Sequence, residues 1–305
     1  MSMDRLIEKI KEKGNPSVVG LDPKPDYIPP QIMNKHIGQK GETLQAAADA
    51  YFEFNCGLID ALAHLVPAVK PQSAFYELLG PSGVDAFKKT VTYAREKGMY
   101  VIADAKRNDI GSTAEAYSEA YLGSVRIGET MHKAFDCDAL TVSAYLGSDG
   151  IKPFIQVCAR EDKAIFALVK TSNKSSGELQ DLMVGDEQVY VLMGKLLERI
   201  SVETMGQYGF SAVGAVIGAT YPEELGQMRQ KLQNTFFLVP GYGAQGGTAS
   251  DVAGAFDQRG LGAIVNSSRG IICAWKKTGR GGEDYMEAAA AAAVKMRDDI
   301  VNCIK

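Results

Sequence analysis

The chain has 305 residues, of which 46% are hydrophobic and 23% charged, and carries a formal net charge of −4. That length admits one large domain or two small ones, and the balance is that of an ordinary soluble globular protein. Mild acidity excludes a basic footprint for nucleic acid or a polybasic membrane patch, and no apolar run reaches membrane-spanning length.

The opening stretch, Met1-Ser-Met-Asp-Arg-Leu-Ile-Glu-Lys-Ile10, reads as an amphipathic helix with charges throughout rather than a signal peptide. A cytoplasmic protein is therefore expected. A first strand is predicted over residues 17–22. It leads into a proline-rich loop (Pro23, Pro25, Pro29, Pro30) and a helix over about 43–65. A short second strand, 68–72, precedes a helix around 84–97.

The third strand opens on the apolar run 99–103 and then turns abruptly charged, with Asp104, Lys106, Arg107 and Asp109 close together. Alternation on an extended backbone places Asp104 and Lys106 on one face. Such an end is either an ion-pair plug or a catalytic dyad. A helix is predicted from about 114 to 135. A fourth strand, 139–143, leads past Gly147 into a helix ending near Arg160. The fifth, 164–169, is followed by a long polar loop, 170–184, and a helix to about Tyr208.

The sixth strand is 211–217, and Tyr221-Pro-Glu-Glu-Leu225 opens the next helix with proline near its first turn. The seventh, 235–239, ends in Pro240-Gly-Tyr-Gly-Ala-Gln-Gly-Gly247. The eighth, 262–266, ends in Ser267-Ser-Arg-Gly270, and an alanine-rich helix covers about 284–301. Eight strands alternating with helices predict a (β/α)8 TIM barrel, a single α/β domain over residues 1–305. The alternative, a doubly wound open sheet, needs a glycine fingerprint after its first strand, and Gly20-Leu-Asp-Pro-Lys-Pro25 is not one.

Five cysteines (Cys56, Cys137, Cys158, Cys273, Cys303) are scattered and never form a Cys-x-x-Cys pair, which argues against a disulfide framework and a zinc site. The three histidines (His36, His64, His132) lie far apart and read as surface or helix-face residues.

In a barrel, function sits where strands end. The ends here carry Asp22, Lys70, Asp104 with Lys106, Ser143, Ser172, Gln245 and Arg269. Glycines in 241–247 let backbone N–H groups crowd an anion, with Arg269 as a charged fork and Gln245 as a neutral donor. The loops after strands seven and eight are where barrels most often bind phosphate, although a plain tight loop is the simpler account of the glycines. At the other end, Lys70, Asp104, Lys106 and Asp109 read as an alternating row that keeps both lysines charged. That suits a proton donor better than a Schiff base. Asp22 is then placed to accept hydrogen bonds from sugar hydroxyls. The competing account is a structural ion-pair network at the barrel mouth, which is expensive to desolvate and adds little stability.

Asp104-Ala-Lys-Arg-Asn-Asp109-Ile-Gly-Ser-Thr113 resembles the Asp-x-Lys-x-x-Asp signature of orotidine 5′-phosphate decarboxylases. The resemblance continues through Gly20-Leu-Asp-Pro23, Val69-Lys-Pro-Gln72, Thr171-Ser-Asn173, Val216-Ile-Gly-Ala-Thr-Tyr-Pro222, the 240–247 glycine loop and Ser-Ser-Arg-Gly270. It spans almost the whole chain and is nearest the bacterial branch with the Asp-Ala-Lys-Arg motif. It implies conversion of orotidine 5′-monophosphate to uridine 5′-monophosphate and CO2, in de novo pyrimidine biosynthesis, without cofactor or metal. By this resemblance Lys106 is the acid that protonates C6, Asp104 faces the leaving carboxylate, and Lys70 orders the network. Asp22 takes ribose hydroxyls, Ser172 touches the pyrimidine, and Gln245 and Arg269 hold the phosphate. Asp109, Ile110 and Thr113 are implied to enter the site from the partner subunit of a homodimer. Two stretches depart from the family pattern: Ser143-Ala-Tyr145 stands where Asn-Pro-Tyr is expected, and Ser172-Asn-Lys174 where Ser-Asn-Pro is expected. Two rivals share the barrel: a metal-dependent decarboxylase or aldolase of a phosphosugar, and a non-catalytic nucleotide-binding barrel.

Overall fold

A computed structural model of the chain describes residues 1–243 and 246–304. Among these, eight parallel strands close into a barrel: β1 (Ser17–Leu21), β2 (Ala68–Pro71), β3 (Tyr100–Arg107), β4 (Ala139–Val142), β5 (Ala164–Lys170), β6 (Val213–Ile217), β7 (Phe237–Val239) and β8 (Ala263–Ser267). Each strand pairs with its neighbours in chain order, and β1 pairs with both β2 and β8, so no edge is left open. The predicted TIM barrel is the observed fold.

Alternation along the strands divides the core in two. Val18, Ala68, Tyr100, Ile102, Ala139, Phe166, Val216, Leu238 and Ile264 point inward and fill the barrel. Residues of opposite parity, such as Val19, Val69, Val101, Leu140 and Val265, face the surrounding helices. The N-terminal helix Ser2–Lys13 belongs to the inner cluster. Its Met3, Leu6, Ile7 and Ile10 recur at helical spacing and are buried with the barrel-filling residues, so this helix plugs the N-terminal end. That leaves the C-terminal end as the open one.

Three predicted elements need correction. The proline-rich stretch after β1 contains a helix, Pro30–Lys40, with Pro30 at a first-turn position that needs no N–H. The helix expected over about 114–135 is only Gly111–Tyr121. It is followed by an antiparallel hairpin, Val125–Ile127 with Thr130–His132, turned at Gly128 with φ +60°. The helix expected to run to Tyr208 stops at Ile200, after a 3-10 turn (Lys174–Glu178) and a small hairpin (Met183–Val184 with Glu187–Gln188) in the preceding loop. Among the described residues no helix is long and apolar enough to cross a membrane.

Candidate active site

The open end of the barrel holds a cavity of about 640 Å3, and most of the predicted strand-end residues line it. Asp104 is its electrostatic centre. One carboxylate oxygen accepts from Lys70 Nζ at 2.5 Å, and the other from Lys106 Nζ at 2.6 Å and the Thr141 hydroxyl at 2.8 Å. Burial pushes the Asp104 carboxyl up, but the charges and hydrogen bonds of the two lysines outweigh it and hold the group well below the usual carboxylate range. Burial likewise opposes the charge on Lys70, and the carboxylates of Asp104 and Asp22 more than restore it, lifting Lys70 above the ordinary lysine value. The two lysines are unequal: the Lys70 side chain is 5% exposed and that of Lys106 45%, so only Lys106 presents an open ammonium to the cavity.

Asp104 and Lys106 do meet, but not by simple strand alternation. Lys106 has φ +48°, one of three positive values at non-glycine residues among the described ones, and the β3–β4 register slips between Ala103 and Arg107. The left-handed turn folds the Lys106 side chain back onto Asp104, while its N–H donates to Thr141 Oγ1 at 3.0 Å. A conformation of this kind costs about 1–3 kcal/mol and is held by its surroundings. The slip turns Arg107 away from the cavity, where it pairs with Glu77 and lies over the rings of Tyr117 and Tyr121.

Asp22 lies beside this cluster with Oδ1 buried and unpartnered among the described residues. Burial raises its carboxyl above the ordinary value, and the nearby Lys70 charge and a hydrogen bond from Ser268 offset only part of that. Ser268 reaches it because β1 has glycine at position 20: a Cβ there would lie 1.8 Å from Ser268 Oγ. Asn266, also inward on β8, leaves its own Oδ1 buried and unpartnered.

Arg269 and Gly241 line the same cavity at the ends of β8 and β7. The glycine loop is more self-contained than expected. The N–H groups of Gly243, Gly246 and Gly247 bond to carbonyls of Gly247, Gly243 and Gly241, so they are committed within the turn. Gly247 must be glycine there, since a Cβ would lie 2.7 Å from Gly241 O. Gln245 lies outside the described residues. Ser172 lines the cavity, whereas Asp109, Ile110 and Thr113 do not. Asp109 Oδ1 accepts from the Ile110 N–H at 2.8 Å, Ile110 is 58% exposed, and Thr113 is exposed. Thr141, Asn266 and Ser268 are among the cavity residues that strand-end reading passed over, as are Lys24, Tyr27 and Leu168. For the first three, inward parity with Ala139 and Ile264 was the available signal. Among the described residues no three His, Cys, Asp or Glu side chains gather as a metal-holding group.

The family model described as orotidine 5′-phosphate decarboxylase / HUMPS family matches residues 42–280. The chain belongs to this family. A relative named orotidine 5′-phosphate decarboxylase from Rhodopirellula baltica is 43% identical over 300 residues, covering 97% of each chain. One of the same name from Caldicellulosiruptor bescii is 39% identical over 297 residues, again covering 97% of each. Among solved structures, the OMP decarboxylase of Leishmania donovani is 30% identical with a TM-score of 0.74, over 99% of this chain and 98% of its own. Of the residues to which the resemblance gives roles, Asp22, Lys70, Asp104, Lys106, Ser172 and Arg269 line this one cavity; Asp109, Ile110 and Thr113 do not, Gln245 lies outside the described residues, and the strand-end residue Ser143 does not line it either.

Proposed function

We infer that the protein decarboxylates orotidine 5′-monophosphate to uridine 5′-monophosphate, a step of de novo pyrimidine biosynthesis, with Lys106 as the proton donor to C6. The observation that carries this reading is the Lys70–Asp104–Lys106 cluster, in which one lysine is sealed and the other open to the cavity. The phosphate is assigned to Arg269 with Gln245, ribose hydroxyls to the unpartnered Asp22 Oδ1, and the pyrimidine to the wall that includes Ser172. That places the C6 carboxylate toward Asp104. Cleavage of the C6–C bond releases CO2 and leaves its electron pair on C6 in the plane of the ring, where no π system takes it up. A fixed ammonium is the remaining means of stabilisation. Lys106 Nζ then gives its proton to C6, becomes neutral, and regains a proton from solvent. Asp104, held ionised by its two lysines, keeps Lys106 aimed at this point. Remote grip on the phosphate supplies binding energy that fixes the reacting end.

The homodimer belongs to the same reading. Asp109, Ile110 and Thr113 do not line their own cavity, and Ile110 is exposed, as are Val125, Ile127 and Met131 of the following hairpin and Tyr145 after β4. Exposed apolar residues on adjacent loops suit a two-fold interface through which the 109–113 stretch enters the other subunit's site.

Loss of orotidine 5′-monophosphate absorbance on mixing with the protein is the direct test. Lys106→Ala is expected to remove nearly all turnover while the nucleotide still binds, and EDTA is expected to change nothing. A variant retaining a tenth of the activity rules out Lys106 as the acid. Sensitivity to EDTA favours the metal-dependent phosphosugar alternative.

A further inference from the structure

The loop after β5 carries Ser172 to the cavity wall, and beneath it lies a buried cation that the reaction above does not use. Lys170, the last residue of β5, is 1% exposed. Its ammonium pairs with Asp181, near the far end of the loop, and lies 3.5 Å from Glu224 on the helix Pro222–Lys231. The rings of Tyr190 and Tyr221 flank it at 5.0 and 4.9 Å. Glu224 Oε2 is itself buried without a hydrogen bond among the described residues.

A slip in the sheet puts Lys170 there. β5 and β6 run in step from Ile165 opposite Val213 to Leu168 opposite Val216, and then Lys170 stands opposite Ile217. Leu168 lines the cavity, so strict alternation would turn Lys170 into it as well. The irregularity moves Lys170 to the side of Ile217, which packs in the outer core, and so beneath the loop.

A lysine at this place is a poor source of stability, because desolvating its own charge offsets much of the attraction to Asp181. What the pair does is join the two ends of one loop. Between those ends, the Gln180 side chain accepts from the Thr171 N–H at 2.9 Å and donates to Thr171 Oγ1 at 2.8 Å. On the other flank, the Gly218 N–H donates to Lys170 O at 2.9 Å, and a Cβ on Gly218 would lie 2.9 Å from that of Ser172. Ser172 is thus confined between the backbone after β6 and a loop whose base Lys170 closes.

We propose that Lys170 is a positioning residue. Its pairing with Asp181 sets Ser172 against the base of the nucleotide, so that it tightens binding of base-bearing ligands and leaves the sugar phosphate alone unaffected. The nature of the ligand rests on the decarboxylase reading; the loop geometry does not. The test uses the full chain, titrated calorimetrically with uridine 5′-monophosphate and, separately, with ribose 5-phosphate, while hydrogen exchange is followed at the Thr171 amide. In Lys170→Met and in Asp181→Ala, affinity for uridine 5′-monophosphate is expected to fall about tenfold, which is about 1.4 kcal/mol. Affinity for ribose 5-phosphate stays level, and exchange at Thr171 accelerates. Asp181→Glu, which keeps the charge, restores tight nucleotide binding. Asp181 is 43% exposed, so its variants fold even where Lys170→Met does not. Equal losses for both ligands, no loss for either, or unchanged exchange at Thr171 each overturn the proposal. A wild-type protein that binds neither ligand sinks the decarboxylase reading alone, and Thr171 exchange then decides whether Lys170 holds the loop.

Discussion

At the scale of single residues, the cavity holds buried polar atoms that no described residue partners. Asp22 shows this most directly: burial raises its carboxyl, and Oδ1 has no partner among the described residues. A carboxyl raised in the folded state contributes stability below its unfolded value, about 3.9, and loses it as pH rises through the folded value. At neutral pH the raised Asp22 carboxyl is therefore a net burden on the ligand-free protein. Asp22→Asn is expected to raise its melting temperature at pH 7, by about 2 °C for each kcal/mol relieved in a chain of this size. The gain should shrink as pH falls through the folded value, where the wild-type carboxyl takes up its proton. Nucleotide affinity should drop in the same variant. Thermal melts of both proteins across that range check it, and a melting temperature that falls at pH 7 contradicts the assignment. The identity of this residue was legible in the sequence, because Asp22 ends a strand. Its unpartnered oxygen was not, because that depends on Ser268 and Gly20, which come together only when β8 closes against β1.

At the scale of elements, period and parity carried most of the information. All eight strands were readable as short apolar runs, and strand-end position led to Lys70 and Asp104, both of which line the cavity. What escaped was local departure from the ideal strand: the left-handed turn at Lys106 and the slips in β3 and β5 arise from neighbouring strands, not from local propensity. The hairpin Val125–His132 was a different kind of miss. Alternating Val125 and Ile127 ahead of Gly128 is a hairpin signal that the preceding helical pattern masked. The glycine loop after β7 also behaves differently from its reading, since three of its N–H groups bond inside the turn. On the proposed reading, that leaves more of the phosphate-binding task to Arg269. A charged hydrogen bond of this type is worth about 1.5–3 kcal/mol. Arg269→Ala should therefore weaken uridine 5′-monophosphate binding by more than tenfold and leave uridine binding unchanged. Equal weakening of both, by titration, places the phosphate elsewhere.

At the scale of the whole molecule, the barrel separates support from chemistry. The N-terminal helix seals one end with Met3, Leu6, Ile7 and Ile10, and Lys70, Asp104 and Lys106 line the cavity at the other. One member of the expected row is missing from that end. Asp109 does not line the cavity, and its carboxylate accepts from the Ile110 N–H just ahead of the helix Gly111–Tyr121. The left-handed turn at Lys106 explains why: it sends the Lys106 side chain back to Asp104 while the following residues leave the barrel mouth. In the homodimer proposed above, a second copy related by a two-fold axis would bring Asp109 to the partner's cavity, and an isologous contact would do so twice. Mixing inactive Lys106→Ala with inactive Asp109→Ala then distinguishes a shared site from a self-contained one. With free exchange of subunits about half the dimers are mixed, and each mixed dimer holds one site with both residues intact, so about a quarter of all sites should turn over. The site in the other half of the mixed dimer lacks both residues and stays silent. Recovered activity should rise with the extent of exchange and reach that plateau when exchange is complete. Activity that stays at the level of the parents, with exchange demonstrated by mass-labelled subunits, means that Asp109 serves its own chain after a movement of the 107–113 segment.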